Sequence, residues 1–314
     1  MNTYSNLNIV CLVGGVGGAK LAEGLAQIVA PEKLAIIVNT GDDFTHLGLT
    51  ICPDLDTVVY TLGHVANTET GWGRQDESWQ VLTEISQLNG PDWFRLGDKD
   101  LAMHLTRAGM LSEGQSLTAI THHLSKALQI APEILPMSDQ PAPTHIQTEE
   151  GLLPFQTWFV QKKWQPAVQQ VVLPDDVRAS AQIAKRLEKA DIILFAPSNP
   201  FVSIDPILNA YPIREMVMDL PQAVIAVSPI IGDSAVKGPA AKMMKELGMS
   251  VNATAVAEYY GDLIDGFVYD TSDPTPVELP NKSVLRTDTL MKNSDDRRRV
   301  AEDVLAFAQQ IINR

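Results

Sequence analysis

The chain has 314 residues, 45% of them hydrophobic, enough for one large α/β domain or two smaller ones around a buried core. A formal charge of -14 disfavours nucleic acid and anionic membrane surfaces as partners, because both are bound through basic surfaces. Apolar runs stay far short of the roughly 20 residues of a membrane helix. The N-terminus shows no basic region with an apolar stretch and cleavage site, so a cytoplasmic protein is expected.

The first apolar run, Ile9-Val10-Cys11-Leu12-Val13, leads into Gly14-Gly15-Val16-Gly17-Gly18 and then Ala19-Lys20-Leu21. A buried strand that ends in glycines and re-enters as a helix presents unpaired backbone N–H groups and the positive end of a helix dipole, so it reads as a phosphate cradle. Neither common pattern fits. The dinucleotide motif laid on Gly15 and Gly17 would need a third glycine at Lys20, and the Walker motif fails at Ala19 and Leu21.

The second run, Leu34 to Val38, ends in Asn39-Thr40-Gly41-Asp42-Asp43. Asn39 stands where a dinucleotide enzyme usually places an acid for ribose, and the adjacent carboxylates Asp42 and Asp43 suit a divalent metal or a ribose. In Pro53-Asp54-Leu55-Asp56-Thr57, Asp54 is expected to be the N-cap of a helix, which leaves Asp56 without a capping duty and favours it as the functional acid. Cys11 and Cys52 give neither a disulfide framework nor zinc spacing.

Helical patterns follow over 78–88, 99–108 and 116–128, and short runs at 144–149 and 152–159 predict a β-hairpin. We read 61–169 as an inserted helical and hairpin cap over a Rossmann-like core of 1–60 and 170–314. At the start of the second of these helices, Arg95 or Lys99 is a candidate to meet phosphate, the alternative being a charged turn that only caps the helix with Asp98 as N-cap. Strand-like runs recur at 192–196, 223–227 and 266–269, which predicts a doubly wound, mostly parallel α/β sheet. Two of these runs end in Pro197-Ser198-Asn199-Pro200 and Ser228-Pro229-Ile230-Ile231-Gly232, with Lys237 beyond, and loops leaving the carboxyl ends of such strands form the ligand crevice. The closing amphipathic helix spans 294–312, with Arg297-Arg298-Arg299 on a solvated face. The six histidines show no ligand spacing and G-x-S-x-G is absent. Anion binding with carboxylates therefore points to phosphoryl-group chemistry with a divalent metal.

The glycine loop with Lys20, Pro53 to Thr57, Leu96-Gly97-Asp98-Lys99-Asp100, Leu135-Pro136-Met137-Ser138-Asp139, Pro197 to Pro200 and Ser228 to Gly232 together resemble the 2-phospho-L-lactate transferase family, in its order and spacing over nearly the whole chain. The resemblance implies a Mg2+-dependent step of coenzyme F420 biosynthesis. A phospholactyl or phosphoenolpyruvyl group passes from a guanosine diphosphate conjugate to the ribityl hydroxyl of the deazaflavin FO, with release of GMP. It further implies that Gly14, Gly15, Gly17 and Gly18, with Lys20, hold the diphosphate. Asp56 is then catalytic, binding FO or metal, with Asp42 and Asp43 as further metal candidates. Arg95 and Lys99 lie on the FO side, Asn199, Ser228 and Gly232 on the guanosine side, and a homodimer is expected. A related group of nucleotide-sugar-binding regulatory proteins shares the glycine loop and fold without transferase activity. Those carry Asp-Asp-Gly-Gly-Ser-Ser-Gly after the second strand, from which Gly41-Asp42-Asp43-Phe44-Thr45 departs, and they lack the Asp-Leu-Asp-Thr segment retained here.

Overall fold

In a computed structural model, which describes residues 4, 6–232, 234–235 and 238–313, the apolar runs line up as one sheet. Among the described residues it has seven strands: β1 (Ile9–Val13), β2 (Leu34–Val38), β3 (Glu133–Pro136), β4 (Ile192–Phe195), β5 (Ala223–Val227), β6 (Gly266–Asp270) and β7 (Ser283–Thr287). Their spatial order is β3-β2-β1-β4-β5-β6-β7 and every pairing is parallel. The doubly wound expectation holds. The winding direction reverses between β1 and β4, which pair from Ile9↔Ile192 to Leu12↔Phe195, so the loops leaving these two strands end side by side. That reversal is the place where open α/β sheets bind ligands.

Continuous burial of β1 follows from helices on both faces. Ile9, Cys11 and Val13 point to one core, shared with Leu21 and Leu25 of α1 (Gly15–Ile28) and Val304 and Leu305 of the C-terminal helix (Ser294–Ile312). Val10 and Leu12 point to the other, with Leu135, Ile183 and Phe195. Arg297 is not on a solvated face: it forms an ion pair with Glu23 of α1 and ties the last helix to the first. Arg298 and Arg299 do stay at the surface, paired with Glu302 and with Asp288, Asp296 and Asp303.

The segment 61–169 is not a single insertion. After α2 (Pro53–Leu62) come α3 (Gln80–Gln87), α4 (Asp98–Ser112) and α5 (Leu117–Ala127), close to the helical patterns. The chain then returns to the central sheet as its edge strand β3, and only afterwards builds the hairpin 145–148/151–154, to which 170–172 adds a third strand. Asp98 is not the N-cap of α4, whose N-cap is Gly97. Its carboxylate instead accepts from Gln80 N–H and Val81 N–H and caps α3, while Glu77 accepts from Lys99 N–H and Asp100 N–H and caps α4. This exchange of caps locks the two helices together. Both cysteines are free and buried, and among the described residues no helix is long and apolar enough to cross a membrane.

Candidate active site

A cavity of about 630 Å³ opens at the carboxyl ends of β1, β4 and β5. Its floor is the start of α1. Gly14 is the extended N-cap and Gly15 has φ +64, a conformation that favours glycine. A Cβ on Gly17 would run into the Pro197 carbonyl, and one on Gly14 into Ser203. The β4 loop therefore approaches the glycines more closely than any side chain would allow. Gly14, Gly15 and Gly17 line the cavity, whereas Gly18 is packed against Val13 and Ser198 and serves the sheet. Ser198 is a backbone clamp, with its Oγ accepting from Gly14 N–H and donating to Gly14 C=O. Lys20 lines the cavity and donates to the Met291 carbonyl at 2.7 Å.

The acids are arranged differently from the expectation. Cys52, not Asp54, is the N-cap of α2, with Pro53 at N1 and Asp54 at N2. Successive helical residues turn by about 100°, so Asp54 and Asp56 lie on nearly opposite faces. Asp54 faces the cavity. Asp56 faces the protein, where its carboxylate pairs with both terminal nitrogens of Arg107 on α4, beside His104. Arg107 also donates to the Thr50 carbonyl, and His104 approaches Asp100, which accepts from the Tyr60 hydroxyl. Asp56 is thus part of the joint between α2 and α4 and does not reach the ligand space.

Asp42 lines the cavity and shares a donor with Asp54: Asn39 Nδ2 lies 3.0 Å from Asp42 Oδ1 and 2.9 Å from Asp54 Oδ2. Burial pushes both carboxyls above the usual carboxylate range, Asp54 to about 6, and the Asp54 charge adds to the shift at Asp42. The Asn39 amide works against the shift at both, and Gly15 N–H does so at Asp54. Asp43 sits behind this pair, where burial raises its pKa and the Cys52 thiol is its hydrogen-bond partner. It does not line the cavity.

Asp42 and Asp54 lie beside the α1 start on the cavity wall, so an anion at that helix start would have two carboxyl groups as neighbours. Among the described residues no cluster of three or more His, Cys, Asp or Glu side chains could hold a metal. Two carboxylates with substrate phosphates are nonetheless the usual magnesium set, so Asp42 and Asp54 fit Mg2+.

Of the remaining candidates, Arg95 lines the cavity with its guanidinium 4.6 Å from the Trp79 ring centroid. Lys99 is exposed, donates to the Gln75 carbonyl and is turned away. Asn199 and Ser228 are both on the wall. Asn199 Oδ1 accepts from Phe201 N–H, and Ser228 Oγ is engaged with Ile230 in its own turn. Gly232 is off the wall and takes the turn at φ +61, leaving the surface to Ile231 and Gly238 to Ala240. Lys237 lies outside the described residues.

Sequence reasoning missed the aromatic wall formed by Trp72, Trp93, Phe94, Phe155 and Phe159. Trp93 and Phe94 are held by rings of the 44–46 strand, with Phe44 4.8 Å from Phe94 and His46 5.2 Å from Trp93. The signal was available, because all five tryptophans fall within 61–169. The site therefore joins a glycine-rich helix start and an acid pair to a broad aromatic face.

The family description "2-phospho-L-lactate transferase CofD" matches residues 9–310. A phosphoenolpyruvate transferase of Kitasatospora aureofaciens is 40% identical over 97% of this chain and 99% of its own length. A 2-phospho-L-lactate transferase of Methanosarcina mazei is 36% identical over 95% and 99%. A solved structure of a UPF0052-family protein from Bacillus halodurans shares the fold, with TM-score 0.64 and 17% identity over 95% of this chain and 98% of that one. The chain is a transferase that belongs to the 2-phospho-L-lactate transferase CofD family.

Proposed function

We propose that this transferase moves a phospholactyl or phosphoenolpyruvyl group from a guanosine diphosphate conjugate to the ribityl hydroxyl of the deazaflavin FO and releases GMP, in coenzyme F420 biosynthesis. The observation that carries this reading is the junction of the α1 glycine start and the Asp42–Asp54 pair with a wall of Trp72, Trp93, Phe94, Phe155 and Phe159. The wall offers a flat tricyclic ring an apolar face of matching shape, and Arg95 at its edge suits the polar rim of that ring. The glycine start and Lys20 bind the diphosphate, and the turns at Ser198-Asn199 and Ser228-Pro229 border the nucleoside.

The hydroxyl oxygen bonds to the β-phosphorus as the bond from that phosphorus to the bridging oxygen breaks, and the electron pair leaves on GMP. Asp54, the acid of this segment that faces the cavity, takes the hydroxyl proton on a carboxylate oxygen. Asp42 and Asp54 are the residues that would hold Mg2+, which when bound neutralises diphosphate charge. The remaining residues orient the two substrates and exclude water. On the family resemblance alone we place the enzyme in the cytoplasm as a homodimer. Incubation with Mg2+, FO and each guanosine donor, reading GMP release and the mass of the deazaflavin product, tests the reading. A product from one donor identifies the three-carbon group; no GMP from any donor overturns it.

A further inference from the structure

Asn39 follows β2, and its main-chain N–H is anchored to the Val13 carbonyl of β1 at 3.0 Å. The side chain is fully buried. Its Oδ1 accepts from Gly41 N–H at 2.8 Å, which settles the orientation of the amide and turns both of its N–H groups toward the acids. Nδ2 then meets Asp42 Oδ1, Asp54 Oδ2 and the Val202 carbonyl at 3.0, 2.9 and 3.1 Å. Three segments distant in the chain, the loop after β2, the first turn of α2 and the loop after β4, thus converge on one amide.

Two buried like charges repel, and without a common donor the freer one swings away. An acid at position 39, as ribose-binding sites use there, would add a third charge and remove both donor contacts. A leucine of similar size would leave both oxygens bare. We infer that Asn39 is a positioning residue that holds Asp42 and Asp54 at the spacing at which both carboxylates take one divalent cation. This rests on the magnesium reading above, and its test separates the two.

Mn2+ serves as the probe, titrated into the full chain without substrates and followed by the electron paramagnetic resonance signal of the free ion, with melting temperature and circular dichroism recorded alongside. Wild type is expected to bind one Mn2+, and Asp54→Asn to weaken it at least tenfold. Asn39→Leu should weaken Mn2+ at least tenfold with the fold intact, and adding it to Asp54→Asn should cost less than threefold more, because the two act through one pair. A purely structural Asn39 would show no such coupling. If Asn39→Leu does not fold, Asn39→Ser, which has no donor long enough to span both carboxylates, is expected to give the same loss. Wild-type affinity in the folded Asn39 variant, with Asp54→Asn still defective, overturns the role of Asn39 alone. No Mn2+ binding by wild type, or binding indifferent to Asp54→Asn, overturns the metal reading and this inference with it.

Discussion

Replacing Asp56 by Asn separates the motif acid that holds the structure from the one that faces substrate. The carboxylate is buried and paired with both terminal nitrogens of Arg107, itself 1% exposed, so the substitution leaves a guanidinium inside the protein without its hydrogen-bonded carboxylate, with Asp43 and Asp100 as the charges remaining near it. Breaking a buried pair from one side costs roughly 3–5 kcal/mol. An unfolding entropy of about 2.1 cal/mol/K per residue, summed over the chain, converts this into a melting-temperature loss of about 5–8 °C. Turnover measured well below that transition should stay within about twofold of wild type, since Asp56 does not touch the cavity. Adding Arg107→Met to Asp56→Asn should recover part of the loss, because the stranded charge is then gone. Calorimetry and GMP-release kinetics on the three variants decide the matter. A variant with unchanged melting temperature and turnover reduced a hundredfold would return Asp56 to the catalytic centre and refute the placement of the two acids on opposite faces of α2.

Three other expectations follow from the same geometry. Asp54→Asn should lower kcat/KM by about a hundredfold to a thousandfold, the scale of losing a preorganised electrostatic partner, and should raise the metal-free melting temperature because one of two buried like charges disappears. Mg2+ at a hundred times its Kd should add about 2.7 kcal/mol to wild type and little to the variant, so a calorimetric scan with and without Mg2+ should show their order invert. Trp93→Ala should weaken FO at least fivefold and leave the KM of the guanosine donor within twofold, as read by fluorescence titration and initial rates; equal losses for both substrates would remove the aromatic face from FO binding. For pH, burial raises Asp54 to about 6 and Asp42 in the same direction, so the folded metal-free protein holds more protons than the unfolded chain from the ordinary carboxylate range up through about 6. Stability should therefore fall as pH rises through that window, while kcat/KM at low Mg2+ should rise across it as Asp54 ionises. Denaturant melts and rates at matched pH values check the two opposite slopes.

Much of the scaffold was legible because its signals are local. The buried runs that became β1, β2, β4, β5 and β6 are continuous apolar stretches, and the helical pattern over 116–128 coincides with α5. β3 and β7 were not legible. The first ends in Pro136 at a sheet edge, and the second is only partly buried, so neither carries the pattern of a central strand. Asp98 misled for a related reason: its position before α4 suggested a cap, yet its amide partners are on α3, which no local pattern reports.

The two acids of the Asp-Leu-Asp segment show where local reading stops and geometry resumes. A capping assignment shifted by two residues exchanged their roles, since Pro53 occupies N1 and moves the cap to Cys52. Helical spacing alone would have corrected half of this. Residues two apart on a helix face nearly opposite ways, so one acid can meet a ligand only if the other meets the protein. The long-range partner decides which. Arg107, 51 residues downstream, claims Asp56 while Leu55, Val58 and Val59 seat α2 in the core, and this orientation leaves Asp54 turned toward Asn39, Gly15 and the cavity. The ion pair on one face of α2 and the cavity-facing carboxylate on the other share one orientation of the helix, which its apolar residues also hold, so the aspartate that never meets substrate can lose its charge without moving the other.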